Sequence, residues 1–308
     1  MSEPADRLLR IATRGSAQAR TQAEAVGASL AAAVDGLVVE YVLVETLGDR
    51  RADEPLHSMG GQGVFVKDVQ RAVLDGRADI AVHSAKDLPS AATAGLRIGA
   101  FCARRDPADA LVGRSLDQLG HGATVASGSV RRRALLMTMR PDLHFVELRG
   151  NIHTRLGKVP ADGSIVMAVA ALETLGLADR VAQRFDESTF VPAPGQGCVA
   201  VECRADDAVV GELLGAVDHA PTRAAVEAER AFLAELGTGC SLPVGAYSDG
   251  TSLIGFLADP ERRHDGGAWW VRQSVSLAGA RDADAASAAG LARTLQAVLG
   301  QPAGAPQA

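Results

Sequence analysis

Aromatic residues make up only 4% of this 308-residue chain, and the formal net charge is −6. A general nucleic-acid binder shows a basic domain or stripe with interleaved aromatics, so that class is disfavoured and any anion site has to be local. No apolar run reaches the ~20 residues that a membrane-spanning helix needs. The opening residues, Met1-Ser2-Glu3-Pro4-Ala5-Asp6, carry neither the basic nor the apolar region of a secretory signal, so a cytoplasmic location is expected. The four cysteines, Cys102, Cys198, Cys203 and Cys240, form no C-x-x-C pair and show no metal-ligand spacing. An intracellular setting also disfavours disulfides. Gly60-Gly61-Gln62-Gly63 lacks the G-K-[ST] ending of a phosphate-binding loop and reads as a flexible lid.

What is present is enough apolar material, 47% of residues, for two or three domains with real cores. Leu8 to Thr13 reads as a strand and Ser16 to Ala33 as an Ala-rich helix capped by Ser16. Leu37 to Thr46 and Asp79 to Val82 read as further strands, with a helix from Val64 to Leu74 between them. The same grammar recurs after Arg104-Arg105-Asp106-Pro107, with strands at 123–126, 144–148 and 164–169 and helices at 130–139 and from 151. Alternation of this kind predicts α/β lobes with mainly parallel sheets. Val191 to Gly197 reads as a crossover, after which the strand Cys198 to Cys203 returns to the first sheet. The expected division is lobe 1 over 7–102 plus 198–216, lobe 2 over 107–192, a smaller α+β domain over 220–300 and a flexible tail over 301–308.

The chemistry gathers at predicted strand ends, the edge where open α/β sheets bind ligands. Asp87 follows the apolar run Ala78 to Val82 in His83-Ser84-Ala85-Lys86-Asp87-Leu88-Pro89 and is the candidate catalyst. Lys86 is either a solvated neighbour or a group that orients the Asp87 carboxylate; His83 is given no role. Arg131-Arg132-Arg133 follows the turn Ser127-Gly128-Ser129 in the first turn of a predicted helix. The helix N-terminus favours anions there, so three arginines call for a compensating negative charge. Arg14, and the pair Arg149 and Arg155, repeat the placement at two other turns. Arginine grips carboxylate or phosphate bidentately, which suggests a multiply charged anionic ligand. Cys240 stands in the turn Gly237-Thr238-Gly239-Cys240-Ser241, where an accessible thiolate can attack an electrophile.

From about Leu9 to Tyr247 the chain resembles the porphobilinogen deaminase, or hydroxymethylbilane synthase, family. The matching stretches are Arg10 to Ser16, Ala78 to Asp87, Ser129 to Arg133, Leu148 to Asn151, Pro194 to Gly197 and Gly239 to Pro243. The resemblance implies two lobes like those of periplasmic binding proteins, joined by a double crossover, with a third domain. It implies head-to-tail condensation of four porphobilinogen molecules into hydroxymethylbilane with release of ammonia, within tetrapyrrole and haem biosynthesis. Cys240 then holds a dipyrromethane cofactor by a thioether, and Asp87 matches the aspartate that hydrogen-bonds pyrrole N–H groups. No metal is implied, and the expected state is a monomer with no nucleic-acid or membrane partner.

The implied chemistry accounts for the arginines. A cofactor carrying four added rings bears about twelve carboxylates, and Arg14, Ser16, Ser84, Lys86, Ser129, Arg131, Arg132, Arg149 and Arg155 are the matching partners. Gln62 and Phe65 fall in the implied lid. Three positions depart from the family pattern, each with loss of a positive charge: Leu47, Gln62 and Thr174, with Arg50, Lys67 and Arg133 as candidate compensators. The competing reading is an anion-binding module without turnover, for which Cys240 would have no use.

Overall fold

A computed structural model of the protein describes residues 7–46, 65–237, 243–259, 261 and 269–300. Cys240, Gln62, Leu47, Arg50 and the tail 301–308 lie outside the described residues.

The first sheet is built by β1 (Arg7–Arg14), β2 (Leu37–Val44), β3 (Ile80–Ser84) and β4 (Leu96–Phe101). Helix α1 (Ala17–Ala33) connects β1 to β2, and α2 (Lys67–Leu74) precedes β3. Helix α1 buries Ala23, Val26, Gly27 and Leu30, the i, i+3, i+4, i+7 stripe of a surface helix, against Leu9, Ile11 and Ile80 of the sheet.

The second sheet repeats the plan with β5 (Asp109–Gly113), β6 (Thr124–Ala126), β7 (His144–Val146), β8 (Ser164–Ala168) and β9 (Val181–Arg184). Its helices include α3 (Val130–Met139), α4 (Ile152–Leu156) and α5 (Val169–Thr174). Strand β10 (Val199–Arg204) then returns to the first sheet, between β3 and β4.

The strand orders are β2-β1-β3-β10-β4 and β7-β6-β8-β5-β9. In each sheet four strands run one way, and one, β10 or β5, runs against them. That odd strand is in both cases the one that follows a crossing between the sheets. The mainly parallel expectation holds, with this reversed strand as the signature of the exchange.

The two crossings lie side by side. Cys102 N donates to Val199 O and Arg105 N to Gly197 O, both at 2.9 Å. Gly195 and Gly197 have φ of +74° and +84°. A Cβ on Gly197 would sit 2.7 Å from Arg105 O, so the close approach of the two segments requires glycine there.

After α6 (Ala208–Leu214) comes the smaller unit: α7 (Ala220–Glu235), β11 (Val244–Ser248), β12 (Ser252–Ala258), β13 (Trp270–Ser276) and α8 (Arg281–Gly300). Its three strands form an antiparallel meander. Phe232, Leu253, Ala288 and Leu295 are wholly buried between helices and sheet. Burying side chains of this size contributes about 1.5–3 kcal/mol each for the larger ones. Phe256 faces away into the core that holds Phe190 and Val191, anchoring this unit to the second crossing.

Candidate functional site

Strand β3 is buried along Ile80 to His83 and ends at Ser84. Ala85–Asp87 makes a single tight helical turn, closed by Leu88 N donating to Ala85 O. Pro89 follows, which has no N–H to extend that turn. The turn leaves Asp87 exposed at the rim while Ala85 stays in the core. Ser84 Oγ donates to Gln22 Oε1 of α1 at 3.1 Å, fixing the start of the turn.

Lys86 points inward and donates to Gln196 Oε1 at 3.2 Å. Desolvation and then the Arg132 charge pull its ammonium down to about 8, with Asp87 and Asp109 opposing. Lys86 is therefore a group of the site interior and not a solvated neighbour.

On the second sheet, Ser129 caps α3 by accepting from Arg132 N. Arg131 and Arg132 then turn back under the sheet, both buried, and meet Asp109 at the start of β5. Arg131 NH2 donates to Asp109 Oδ2 at 2.7 Å and its NH1 to Val191 O at 2.7 Å. Arg132 donates to Oδ1 through Nε at 2.9 Å and NH2 at 2.7 Å, and to Val166 O through NH1. Burial would raise the Asp109 carboxyl, but Arg131, Arg132 and Lys86 outweigh it and hold it at about 2. The anion that the arginine triplet calls for is thus supplied, for these two, by the chain itself. Arg133 is satisfied separately, by Glu147 Oε2 and Ser127 O, each at 2.6 Å.

The remaining arginines are differently placed. Arg14 stacks over the Phe65 ring, 4.1 Å from its centroid. Among the described residues Arg155 donates only through Nε, to Gly150 O at 2.7 Å. Desolvation, followed by the charges of Arg132 and Arg149, pulls Arg155 down to about 10, against the favourable pull of Asp87 and with Arg14 adding to the repulsion. Residues of both lobes therefore converge on Arg155. Arg149 Nε is buried without a hydrogen-bond partner. A buried donor left unpaired costs about 1–3 kcal/mol, which an incoming acceptor would recover. Ser16 serves as the cap of α1, accepting from Ala19 N.

The structure brings Asp87, Lys86, Arg14, Arg132, Arg149 and Arg155 into one electrostatic neighbourhood between the sheets. It also reveals two members that sequence reading missed, Asp109 and Gln196. Asp109 had a legible signal: a carboxylate opening the apolar run Ala110 to Val112 has to find a buried cation. Thr174, one of the departures, turns its hydroxyl back to Ala170 O at 2.7 Å. Arg133, held by Glu147, is not available to compensate for it. Burial raises the Cys198 thiol to about 12 and the Cys102 thiol to about 11, which suits packed cysteines and not nucleophiles.

The exposed Asp87 together with Arg155 and the unpaired Arg149 Nε suits a ligand that carries carboxylates. Residues 9–212 match the family model described as porphobilinogen deaminase, dipyromethane cofactor binding domain, and residues 223–267 match the porphobilinogen deaminase C-terminal domain. The porphobilinogen deaminase of Acidothermus cellulolyticus is 46% identical over 266 residues, 82% of this chain and 80% of that protein. That of Nitratidesulfovibrio vulgaris is 42% identical over 94% of this chain and 92% of its own length, and that of Xanthomonas euvesicatoria pv. vesicatoria 47% over 78% and 81%. The solved structure of the methionine binding protein MetQ aligns with 68% of this chain and 89% of its own, at 17% identity and a TM-score of 0.44. On the family models and the relatives together, the chain belongs to the porphobilinogen deaminase family.

Proposed function

We propose that Asp87 is the catalytic residue of this chain, that Arg149, Arg155 and Arg14 bind the carboxylates of cofactor and substrate while Arg132, already held by Asp109 and Val166 O, adds positive charge to the site, and that Cys240 carries the cofactor. The observation that carries this reading is the convergence of Asp87 and three arginines, Arg14, Arg132 and Arg149, from both lobes around Arg155, with Arg149 Nε buried and unpaired. A dipyrromethane fits that site, because its carboxylates supply an acceptor to the unpaired Arg149 Nε and further acceptors to Arg155 beside it. When bound, it supplies the primer on which the chain of rings grows.

The residues divide the work. Arg149 and Arg155 clamp ring carboxylates, charge-assisted bonds that fix each ring's position. Arg14, placed over the Phe65 ring, presents a third cation from the first lobe. Arg131 is committed to Asp109 and Val191 and is read as a support of Arg132, while Ser129 and Ser16 act as helix caps that set the arginine turns.

Asp87 accepts from the pyrrole N–H of the substrate. As the substrate's C–N bond breaks and ammonia leaves, a positive charge spreads over its ring, and the rim carboxylate stabilises it. Asp87 is also the nearby base that would take up the proton given off when a ring is added.

The domain division into 7–102 with 198–216, 107–192 and 220–300 is supported by the three separate sheets, with Phe256 of the third unit packing into the core of the second. Among the described residues no helix is long and apolar enough to cross a membrane. Intact-mass spectrometry of the denatured protein tests the reading. The wild type should exceed its sequence mass by two condensed porphobilinogen units, Cys240→Ser should not, and brief exposure to porphobilinogen should add a ladder of single-ring increments. An unmodified wild type without a ladder would leave an anion-binding module as the better account.

A further inference from the structure

Asp109 is fully buried, yet it belongs to none of the motifs that carry the chemistry. Its two oxygens receive four hydrogen bonds: Arg131 NH2 on Oδ2, and Arg132 Nε, Arg132 NH2 and Gln196 Nε2 on Oδ1. Gln196, itself buried, sits in the second crossing and is held there by Pro107 O at 2.7 Å. Its other amide atom accepts from Lys86 at 3.2 Å, one residue before Asp87. A continuous chain of polar contacts therefore runs from the arginines of α3 through Asp109 and Gln196 to the turn at the end of β3.

We propose that Asp109 is a positioning residue of the deaminase reaction: from the first strand of lobe 2 it holds Arg131 and Arg132 in one arrangement and, through Gln196, ties them to the turn carrying Lys86 and Asp87. It touches no substrate. Its charge acts on Lys86 in two ways, directly and by neutralising the two guanidinium groups that would otherwise repel the ammonium. The charged groups facing Lys86 are Arg131 and Arg132 from α3, Asp109 from β5 and Asp87 from its own turn. Two of these disfavour the ammonium and two favour it, so removing Asp109 leaves Asp87 alone against both arginines.

The inference rests on the proposed site, and its test separates the two. In the wild-type holoenzyme, kcat/KM for porphobilinogen should fall along an alkaline limb that lies below the ordinary lysine range, as Lys86 loses its proton. Lys86→Arg, charged throughout that range, should carry no such limb. Asp109→Asn should move the limb to lower pH by at least one unit and raise KM more than it lowers kcat. Gln196→Leu keeps every charge and cuts only the bridge to Lys86, so it should shift the limb the same way by less. If Asp109→Asn does not fold, Gln196→Leu decides alone.

A limb that stays at its wild-type position in whichever of these variants folds overturns the proposal, as does a wild-type profile without that limb. Asp87→Asn serves as the control for the underlying site. An inactive Asp87→Asn beside an unshifted Asp109→Asn removes the positioning role only, whereas a fully active Asp87→Asn removes the site itself.

Discussion

Arg104 donates to both carboxylate oxygens of Glu229, at 2.6 and 3.1 Å, although one lies on the first crossing between the lobes and the other in helix α7 of the smaller unit. Glu229 is wholly buried and also accepts from Gly195 N at 2.7 Å and Ser248 N at 2.9 Å. One carboxylate thus ties both crossings to the C-terminal sheet. Arg104 in turn lies over the Tyr247 ring and donates to Gln196 O, so the knot adjoins the site.

Removing Glu229 leaves a buried guanidinium and two backbone donors without their acceptor. Glu229→Ala is expected to lose about 3–5 kcal/mol of unfolding free energy. Urea denaturation of purified protein measures this; a loss within the ~0.5 kcal/mol typical of surface changes would show that the knot carries little of the fold's stability.

Asp87 stands exposed on a turn whose backbone is fixed by Ala85, Ser84 and Leu88. Asp87→Asn should therefore melt like the wild type while losing roughly 10²–10⁴-fold in turnover, the range for a lost acid–base group. Steady-state conversion of porphobilinogen beside a thermal melt checks both halves. Retained turnover would place the catalytic role elsewhere.

Arg149 and Arg133 make a matched pair for testing the carboxylate clamp. Arg149→Ala removes a donor that is buried and unpaired, and should weaken holding of early ring carboxylates by about 1.5–3 kcal/mol, the value of a charged hydrogen bond. Arg133→Ala breaks a partly exposed pair with Glu147 and should change ring addition little. The yield of each elongation species by intact mass compares them. Equal behaviour of the two variants would remove Arg149 from the clamp.

Asp109 makes acid stability testable. Its carboxyl is depressed to about 2 in the folded chain, below the ordinary value of 3.8, so its ion pairs stabilise the fold fully above about pH 4. That contribution, roughly 2–3 kcal/mol, is lost as pH falls from about 4 to about 2. Urea midpoints across that interval should drop more steeply in the wild type than in Asp109→Asn. Parallel slopes would mean that Asp109 does not govern the acid limb.

Much of the fold could be read from local pattern. The helix over 130–139 and the cap Ser16 appear where periodicity and side-chain chemistry put them, because a cap is a contact within one turn of chain; that Ser129 caps the helix over 130–139 is seen only in the structure. The strands β5 and β9 are harder to see. Strand β9 alternates half-buried and exposed residues, and β5 opens on a charged residue that local reasoning places outside a core.

At the site, the sequence by itself determined which residue types stand at the strand ends, Asp87 and the arginines Arg14, Arg131, Arg132, Arg149 and Arg155, and through the motifs around them the family. Only the tertiary structure decided how those charges are shared. Arg131 and Arg132 are separated from Asp109 by 22 and 23 residues, and Gln196 from Asp109 by 87. Spacing along the chain cannot tell a guanidinium held by an internal carboxylate from one left for a ligand. That distinction arises when the two crossings fold against each other, because a charge buried there has to be neutralised by whatever group the returning chain brings within reach.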